Sequence, residues 1–403
     1  MNKHKVMITG AAGYIGSMLL YKYAMRDDVE KILAIDKDPE TDFTKNIDIL
    51  YKSIHDIDKL KSNDVNMNVA DVNYRDKIVY LQANLANDNW IMLAEQIRPD
   101  IIVHTAWQIR EIYGRRDVSW LYNIVASDKV FDFTFEHVYV KRLIHFSTVA
   151  SYGALPTNTL DYRYKEDDKF RETVYLYAEE KRIAEDHLAS KYTKYIDRVL
   201  EESIFDISLQ KQNTNDRKML NEENRKQIMI VRPASITGPR LRNEINKFSL
   251  QSALSGNLKK QKGFLNKLVG HMTSFMPSTH GWLRQYIHED DVIGIVSHLS
   301  FAEHDDEYAV YNLCPPGDVV LAPQMAKALG KRAINISPRL IQAVFALFWH
   351  MTRGRVPTAP GVWSGYSYPI GVDGSKISKI HNYKYKYESL DALTTDKGDF
   401  AKS

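Results

Sequence analysis

The sequence predicts an α/β protein: a doubly wound parallel sheet with a smaller C-terminal α/β lobe. Three observations point there. At the N-terminus an apolar strand runs through a glycine turn into an apolar helix, residues 6–20. Apolar strand-like runs then alternate with helical stretches, at 78–81, 88–97, 100–104, 120–135 and 142–146. From residue 240 that alternation gives way to mixed apolar and basic sequence. Strands alternating with helices need crossovers, which are right-handed and place helices on both faces of a parallel sheet.

In the first unit, Gly10, Gly13 and Gly16 let the backbone turn tightly and approach a pyrophosphate. The free N–H groups and positive dipole end of the helix that follows favour that charge. The arrangement is of Rossmann type and implies a dinucleotide. A glycine turn alone is weak evidence, because such turns also close ordinary strand-helix units. A second apolar strand, 31–35, strengthens it by ending in Asp36, twenty residues after Gly16. A carboxylate there accepts hydrogen bonds from the adenosine ribose and repels a 2'-phosphate, which selects NAD over NADP.

Length and composition set the class. A chain of 403 residues can bury a large core. With 54 basic and 51 acidic residues the net charge is +3, which gives no electrostatic case for nucleic acid. The lone cysteine, Cys314, rules out an internal disulfide and reads as structural, in keeping with a reducing compartment. A strand beginning at residue 6 leaves no room for a signal peptide, and a cytoplasmic protein is expected. The most apolar run, 340–349, is too short to span a bilayer and reads as a buried helix; its aromatic end leaves peripheral attachment as a lesser alternative.

After Asp36, residues 37–76 are polar and read as a surface insertion. Asn84 and the 104–107 run follow strands and so lie at the carboxyl edge of the sheet, where cofactors bind. Ala106 there lets backbone approach a cofactor, whereas His104 reads as a packed, hydrogen-bonded residue. The helix at 120–135 carries Asn123. The strand 142–146 ends in a hydroxyl cluster, Ser147, Thr148 and Ser151, well placed to donate to a substrate oxygen, although such hydroxyls also satisfy loop backbone. The helix at 175–185 puts Tyr177 and Lys181 one turn apart on one face. A tyrosine is a poor base at neutral pH unless a cation stabilises its phenolate, and Lys181 can supply that charge. The charged, amide-rich middle of 192–227 reads as a second surface insertion; the sheet resumes at 228–239 and again at 284–291 and 311–313. No metal-ligand spacing appears.

Together these residues resemble the extended short-chain dehydrogenase/reductase family, in its NAD-dependent epimerase/dehydratase branch. Residues 9–16 match the family's TGxxGxxG turn, and Tyr177 with Lys181 its catalytic pair. His104 to Ala106 resembles its HxA element, and Asn123 and Thr148 fall at its helix asparagine and catalytic hydroxyl. Arg232-Pro, Gly238-Pro, the 284–291 segment and Tyr311-Asn-Leu follow in order. The resemblance implies a catalytic set of Thr148, Tyr177, Lys181 and Asn123. It implies cofactor contacts from Gly10, Gly13, Tyr14, Ile15, Gly16, Asp36, Asn84, Leu85, His104, Ala106, Tyr177, Lys181 and Pro233. Substrate contacts fall to Thr148, Ser235 and Arg284. It also implies an NAD-binding domain over 1–239, with insertions at 40–76 and 196–226 and sheet segments returning at 284–313. Residues 240–283 and 314–403 would form the substrate lobe, and two chains would pair through the Asn123 and Tyr177 helices.

Three departures shape what carries over. Asn84 stands where an aspartate usually meets the adenine, a contact its amide oxygen can still make. Val149 and Ala150 replace the Asp and Glu of sugar-nucleotide dehydratases, which disfavours water elimination. Ser235 replaces an asparagine that often contacts the substrate pyrophosphate, while Arg284 keeps the position that commonly holds it. The expected chemistry is reversible hydride transfer at a secondary alcohol, with Tyr177 taking the proton, Thr148 donating to the same oxygen and Asn123 supporting the backbone or a water relay. A nucleotide-sugar epimerase is the leading expectation. Its rivals are a dehydrogenase of a bulky apolar, steroid- or lipid-like alcohol and an NAD-binding regulator without chemistry.

Overall fold

The computed structural model describes residues 3–40, 74–209, 225–244, 275–279, 281–317 and 319–401. Almost all of the first expected insertion, and most of 240–283, therefore fall outside the described residues. The strands that carry the argument are β1 (His4–Thr9), β2 (Val29–Asp36), β3 (Ile78–Gln82), β4 (Ile101–His104), β5 (Arg142–Phe146), β6 (Gln227–Pro233), β7 (Ser235–Thr237), β8 (Phe275–Ser278), β9 (Leu283–Arg284), β10 (Tyr286–His288), β11 (Tyr308–Leu313), β12 (Val320–Leu321) and β13 (Arg332–Asn335). The helices are α1 (Tyr14–Ala24), α2 (Ile91–Ile97), α3 (Arg116–Trp120), α4 (Ala126–Glu136), α5 (Leu176–Leu209), α6 (Pro239–Glu244), α7 (Glu289–Phe301), α8 (Ala322–Ala328) and α9 (Pro338–Met351), followed by two short ones.

Seven strands form one parallel sheet in the order β3-β2-β1-β4-β5-β6-β11. Successive side chains on a strand point to opposite faces, and the cores divide accordingly. Val6 and Ile8 pack with Ile32, Ala34 and Val103 beneath α1 and α7. Met7, Leu33, Ile35 and Ile102 pack on the other face with Trp90, Phe131 and Leu188. From β1 the chain moves outward to β2 and β3, then returns to place β4 on β1's other side. The strand order reverses there, so Thr9 and His104, paired in register, frame a crevice at the strands' carboxyl ends, where ligands of such sheets bind.

Two expectations change. Helix α5 does not stop before an excursion at 196; it runs 34 residues to Leu209. Tyr192, Tyr195, Ile196 and Val199 recur at helical spacing and pack on the sheet's core, so Asp197, Arg198 and Glu201 mark the solvated face of a helix, while the rest of the second expected insertion, 210–224, lies outside the described residues. The return at 284–313 also divides. β11 joins the central sheet beside β6, but β9 and β10 pair instead with β12 and β7 in small two-stranded sheets. Tyr286 of β10 and Val320 of β12 join a smaller core with Met276, Trp282, Met325 and Leu393, whereas Ile236 of β7 and Ile287 of β10 pack on the main core.

A buried ion pair locks the sheet to α5. Arg232 donates to both carboxylate oxygens of Glu185, at 3.0 and 2.6 Å, and to the Tyr152 hydroxyl at 2.7 Å. Tyr152 in turn donates to Asn312 at 2.9 Å. The Tyr-Gly, Arg-Pro and Tyr-Asn-Leu elements of the sequence thus meet in one structural network. Breaking a pair buried this deeply leaves a stranded charge and costs about 3–5 kcal/mol.

Candidate active site

At the crevice the backbone comes close to itself, which explains the glycines. Gly10 sits at φ +71°, and a Cβ there would lie 2.7 Å from the Ala106 amide nitrogen. A Cβ on Gly16 would collide with the Gly10 carbonyl. Helix α1 starts at Gly13 without a side-chain cap, so its first amide groups remain for an anion. Asp36 closes this end: one carboxylate oxygen accepts from the Ala12 amide at 2.9 Å, the other from the Asp38 amide at 3.2 Å. Burial raises its pKa and these backbone bonds oppose the rise. Arg240 and Glu289 brace the turn from outside, Arg240 on Ser17 Oγ at 3.0 Å and Glu289 on the Tyr14 hydroxyl. An uncapped helix start, a glycine-bounded approach and a placed carboxylate are the donor set a dinucleotide needs. Gly10, Gly13, Tyr14, Ile15, Gly16 and Asp36 would hold its adenosine and pyrophosphate.

The crevice opens into a cleft of about 770 Å³. All of the sequence-derived site residues line it except His104 and Asn123. Thr148 leaves β5 and caps the short 3-10 turn Val149–Tyr152, accepting from Ala150 at 3.2 Å. It also hydrogen-bonds Tyr177. Burial pushes the Tyr177 phenol above its ordinary range, and the Thr148 bond acts the other way. Lys181 shares Tyr177's helix face, but its head is turned elsewhere. Its Nζ donates to the Phe146 carbonyl and lies 3.5 Å from the centre of the Trp107 ring. Burial drives its pKa well down, with Glu185 and Glu180 opposing. The expected Lys181 stabilisation of the phenolate is therefore not made in this arrangement.

At the far end Arg284 reaches the cleft from β9. It donates to the Gly365 carbonyl at 3.0 Å and lies 5.1 Å from the Tyr366 ring centre and 5.7 Å from that of Trp282. Tyr175, Tyr366 and Tyr286 are the ionisable groups that act on it; among the described residues no carboxylate pairs with it.

Three of the named side chains are engaged by protein partners. His104 stands behind the cleft wall, its ring nitrogens bonded to Thr9 Oγ1 at 2.7 Å and Ser127 Oγ at 2.9 Å. With both nitrogens engaged it serves packing, and burial holds its pKa at about 3. Asn123, in the π turn Leu121–Val125 that joins α3 and α4, is wholly buried. It clamps Gln108 at both backbone atoms, 2.7 and 3.1 Å, and donates to Glu180 at 2.6 Å, so it takes the backbone-supporting role. Asn84 lines the cleft, but its side-chain oxygen accepts from the Ala86 amide at 3.0 Å rather than facing outward. Ser235 lines the cleft from β7, and Pro233 and Leu85 complete the wall. Sequence reading missed Trp107, Glu180 and the aromatic end formed by Tyr175, Tyr366 and Tyr368. Trp107 and Glu180 are immediate neighbours of singled-out residues, the one signal that could have flagged them.

The family model for the NAD dependent epimerase/dehydratase family matches residues 6–197, from β1 through Tyr177 and Lys181 into α5. That match covers 192 of the 403 residues and identifies this part of the chain with a family whose members are NAD-dependent enzymes. No curated protein sequence matches it. Solved structures share the fold at low identity. The dTDP-glucose 4,6-dehydratase of Bacillus anthracis in complex with NAD is 14% identical, with TM-score 0.59 over 97% of this chain and 94% of that one. The UDP-glucuronic acid 4-epimerase of Bacillus cereus in complex with UDP-glucuronic acid and NAD is 17% identical, with TM-score 0.58 over 96% of each chain. The UDP-glucose 4-epimerase of Thermotoga maritima with UDP-glucose is 14% identical, with TM-score 0.58 over 97% and 96%.

Proposed function

We propose that this enzyme epimerises a nucleotide sugar by reversible hydride transfer at a secondary alcohol. The observation that carries the reading is Arg284: a guanidinium in the wall of the same cleft as Thr148 and Tyr177, surrounded by phenols and lacking a carboxylate partner among the described residues. Such a cation calls for an anion, and a substrate diphosphate meets its fork in two places. NAD supplies the hydride acceptor and a positively charged ring when bound. Tyr177 takes the alcohol proton, Thr148 donates to the same oxygen, and Asn123 fixes the Gln108 loop beside them. Val149 and Ala150 line the cleft without an acid or base, which favours hydride return over water elimination.

The aromatic and apolar lining contributed by Tyr175, Val362, Tyr366, Tyr368 and Ile370 favours a second reading, oxidation of a bulky apolar alcohol. One experiment separates them. The purified protein is denatured to identify released cofactor, and the native protein is then given UDP-sugars without added NAD. The expected result is released NAD and formation of the epimer, with Arg284→Met raising KM about a hundredfold. Reduction of free NAD by steroid-like alcohols, with every nucleotide sugar inert, would select the second reading. Pairing of two chains along α3, α4 and α5 is part of the proposal, supported by the exposed Trp120 and Leu121 on this face.

The pH dependence has a defined sign. Because burial raises the Tyr177 pKa, alcohol oxidation climbs with pH as the phenol loses its proton. Thr148 lowers that pKa, so Thr148→Ala moves the rising limb to higher pH. A limb left in place in pH–rate profiles of the variant would count against Tyr177 as the base.

A further inference from the structure

Helix α9 contradicts the expectation of a buried helix on one whole side. Ile341, Phe345 and Trp349 face inward, Phe345 against Tyr366 at 5.5 Å between ring centres. The opposite side is also apolar: Leu340, Leu347 and Met351 are 51%, 56% and 68% exposed and align on one stripe, with Ala343 and Val344 between them. A helix apolar on both sides ordinarily has both sides covered.

The charge around the stripe says what covers it. From residue 319 to residue 372 the sequence contains no Asp or Glu and six basic residues, of which Arg339, Arg353 and Arg355 are exposed at the two ends of α9. The helix also stands beside the cleft. Tyr113 packs on Trp349 at 5.4 Å between ring centres, and the loop before it carries Ile109, which lines the cleft and is 62% exposed. No helix among the described residues is long and apolar enough to cross a membrane.

We propose that the exposed face of α9 docks this enzyme onto an anionic lipid surface. The helix lies in the plane of the interface, with Leu340, Leu347 and Met351 among the acyl chains and the flanking arginines on the headgroups. Docking turns the loop at the cleft toward the membrane.

The test is flotation of the full chain with vesicles of phosphatidylcholine alone, or with about one third phosphatidylglycerol. The expected result is binding to the anionic vesicles only, weakened by salt. Leu347→Glu with Met351→Glu lowers the bound fraction by about tenfold or more, and Arg353→Glu with Arg355→Glu lowers it on anionic vesicles. These side chains are solvent-exposed, and circular dichroism and NAD affinity check that each variant keeps its fold. Equal recovery with both vesicles, no recovery with either, or unchanged binding by both variants overturns the proposal. Self-association that Leu347→Glu with Met351→Glu abolishes, without vesicle binding by the parent chain, assigns the face to a second copy instead.

Discussion

Tyr177→Phe leaves a protein that binds NAD and turns over about a thousandfold more slowly, or less. The substitution keeps the ring in its half-buried place on α5 and removes only the hydroxyl, whose bond is to Thr148. Neither the glycine turn nor Asp36 is bonded to that hydroxyl, so cofactor affinity stays within a few-fold. The loss falls on kcat because the proton transfer belongs to the chemical step. Stopped-flow reduction of bound NAD together with a binding titration reads both quantities. Near-normal turnover in the variant would remove Tyr177 from the mechanism.

Gly16→Ala has the second large effect, this time on the cofactor. The added Cβ meets the Gly10 carbonyl and lies 3.0 Å from the Ala11 Cα. Neither can yield cheaply: the Gly10 amide bonds the Ile35 carbonyl at 2.8 Å, and the Gly10 carbonyl accepts from Gly13 at 3.0 Å. Either α1 moves away from the crevice or the turn opens. Overpacking of this kind costs about 1–3 kcal/mol of stability, and the displaced amide groups no longer converge on one phosphate. NAD affinity is expected to fall about a hundredfold or more, measured by calorimetric titration beside a thermal melt. A variant that binds NAD like the parent would show that the pyrophosphate does not sit on this turn.

The strands of the central sheet were legible because their signals are local. An apolar run such as 142–146 must be buried on both faces, and a glycine turn between strand and helix has few structural uses. The reverse point between β1 and β4 followed from topology, and with it the place of the cleft. What escaped depends on partners distant in sequence. Spacing put Lys181 on the face of Tyr177, yet its head went to the Phe146 carbonyl and the Trp107 ring, which a helix register cannot announce. For His104 and Asn123 the packed and backbone-supporting parts are legible, but the particular partners Thr9, Ser127, Gln108 and Glu180 are not. Helix α5 was cut short by attention to its charge, although the stripe at 192, 195, 196 and 199 was already in the sequence. The 284–288 stretch reads as strand, but only the tertiary pairing reveals which sheet β9 and β10 join.

The central claim is that a hydride leaves one carbon of the substrate and returns to it within a single bound complex. The most direct measurement follows a nucleotide sugar deuterated at the reacting carbon, turned over in ordinary water with no added cofactor. The account predicts an epimerised product that keeps its deuterium. Loss of the label to solvent would mean that the hydrogen departs as a proton, and that result would contradict hydride transfer at this site.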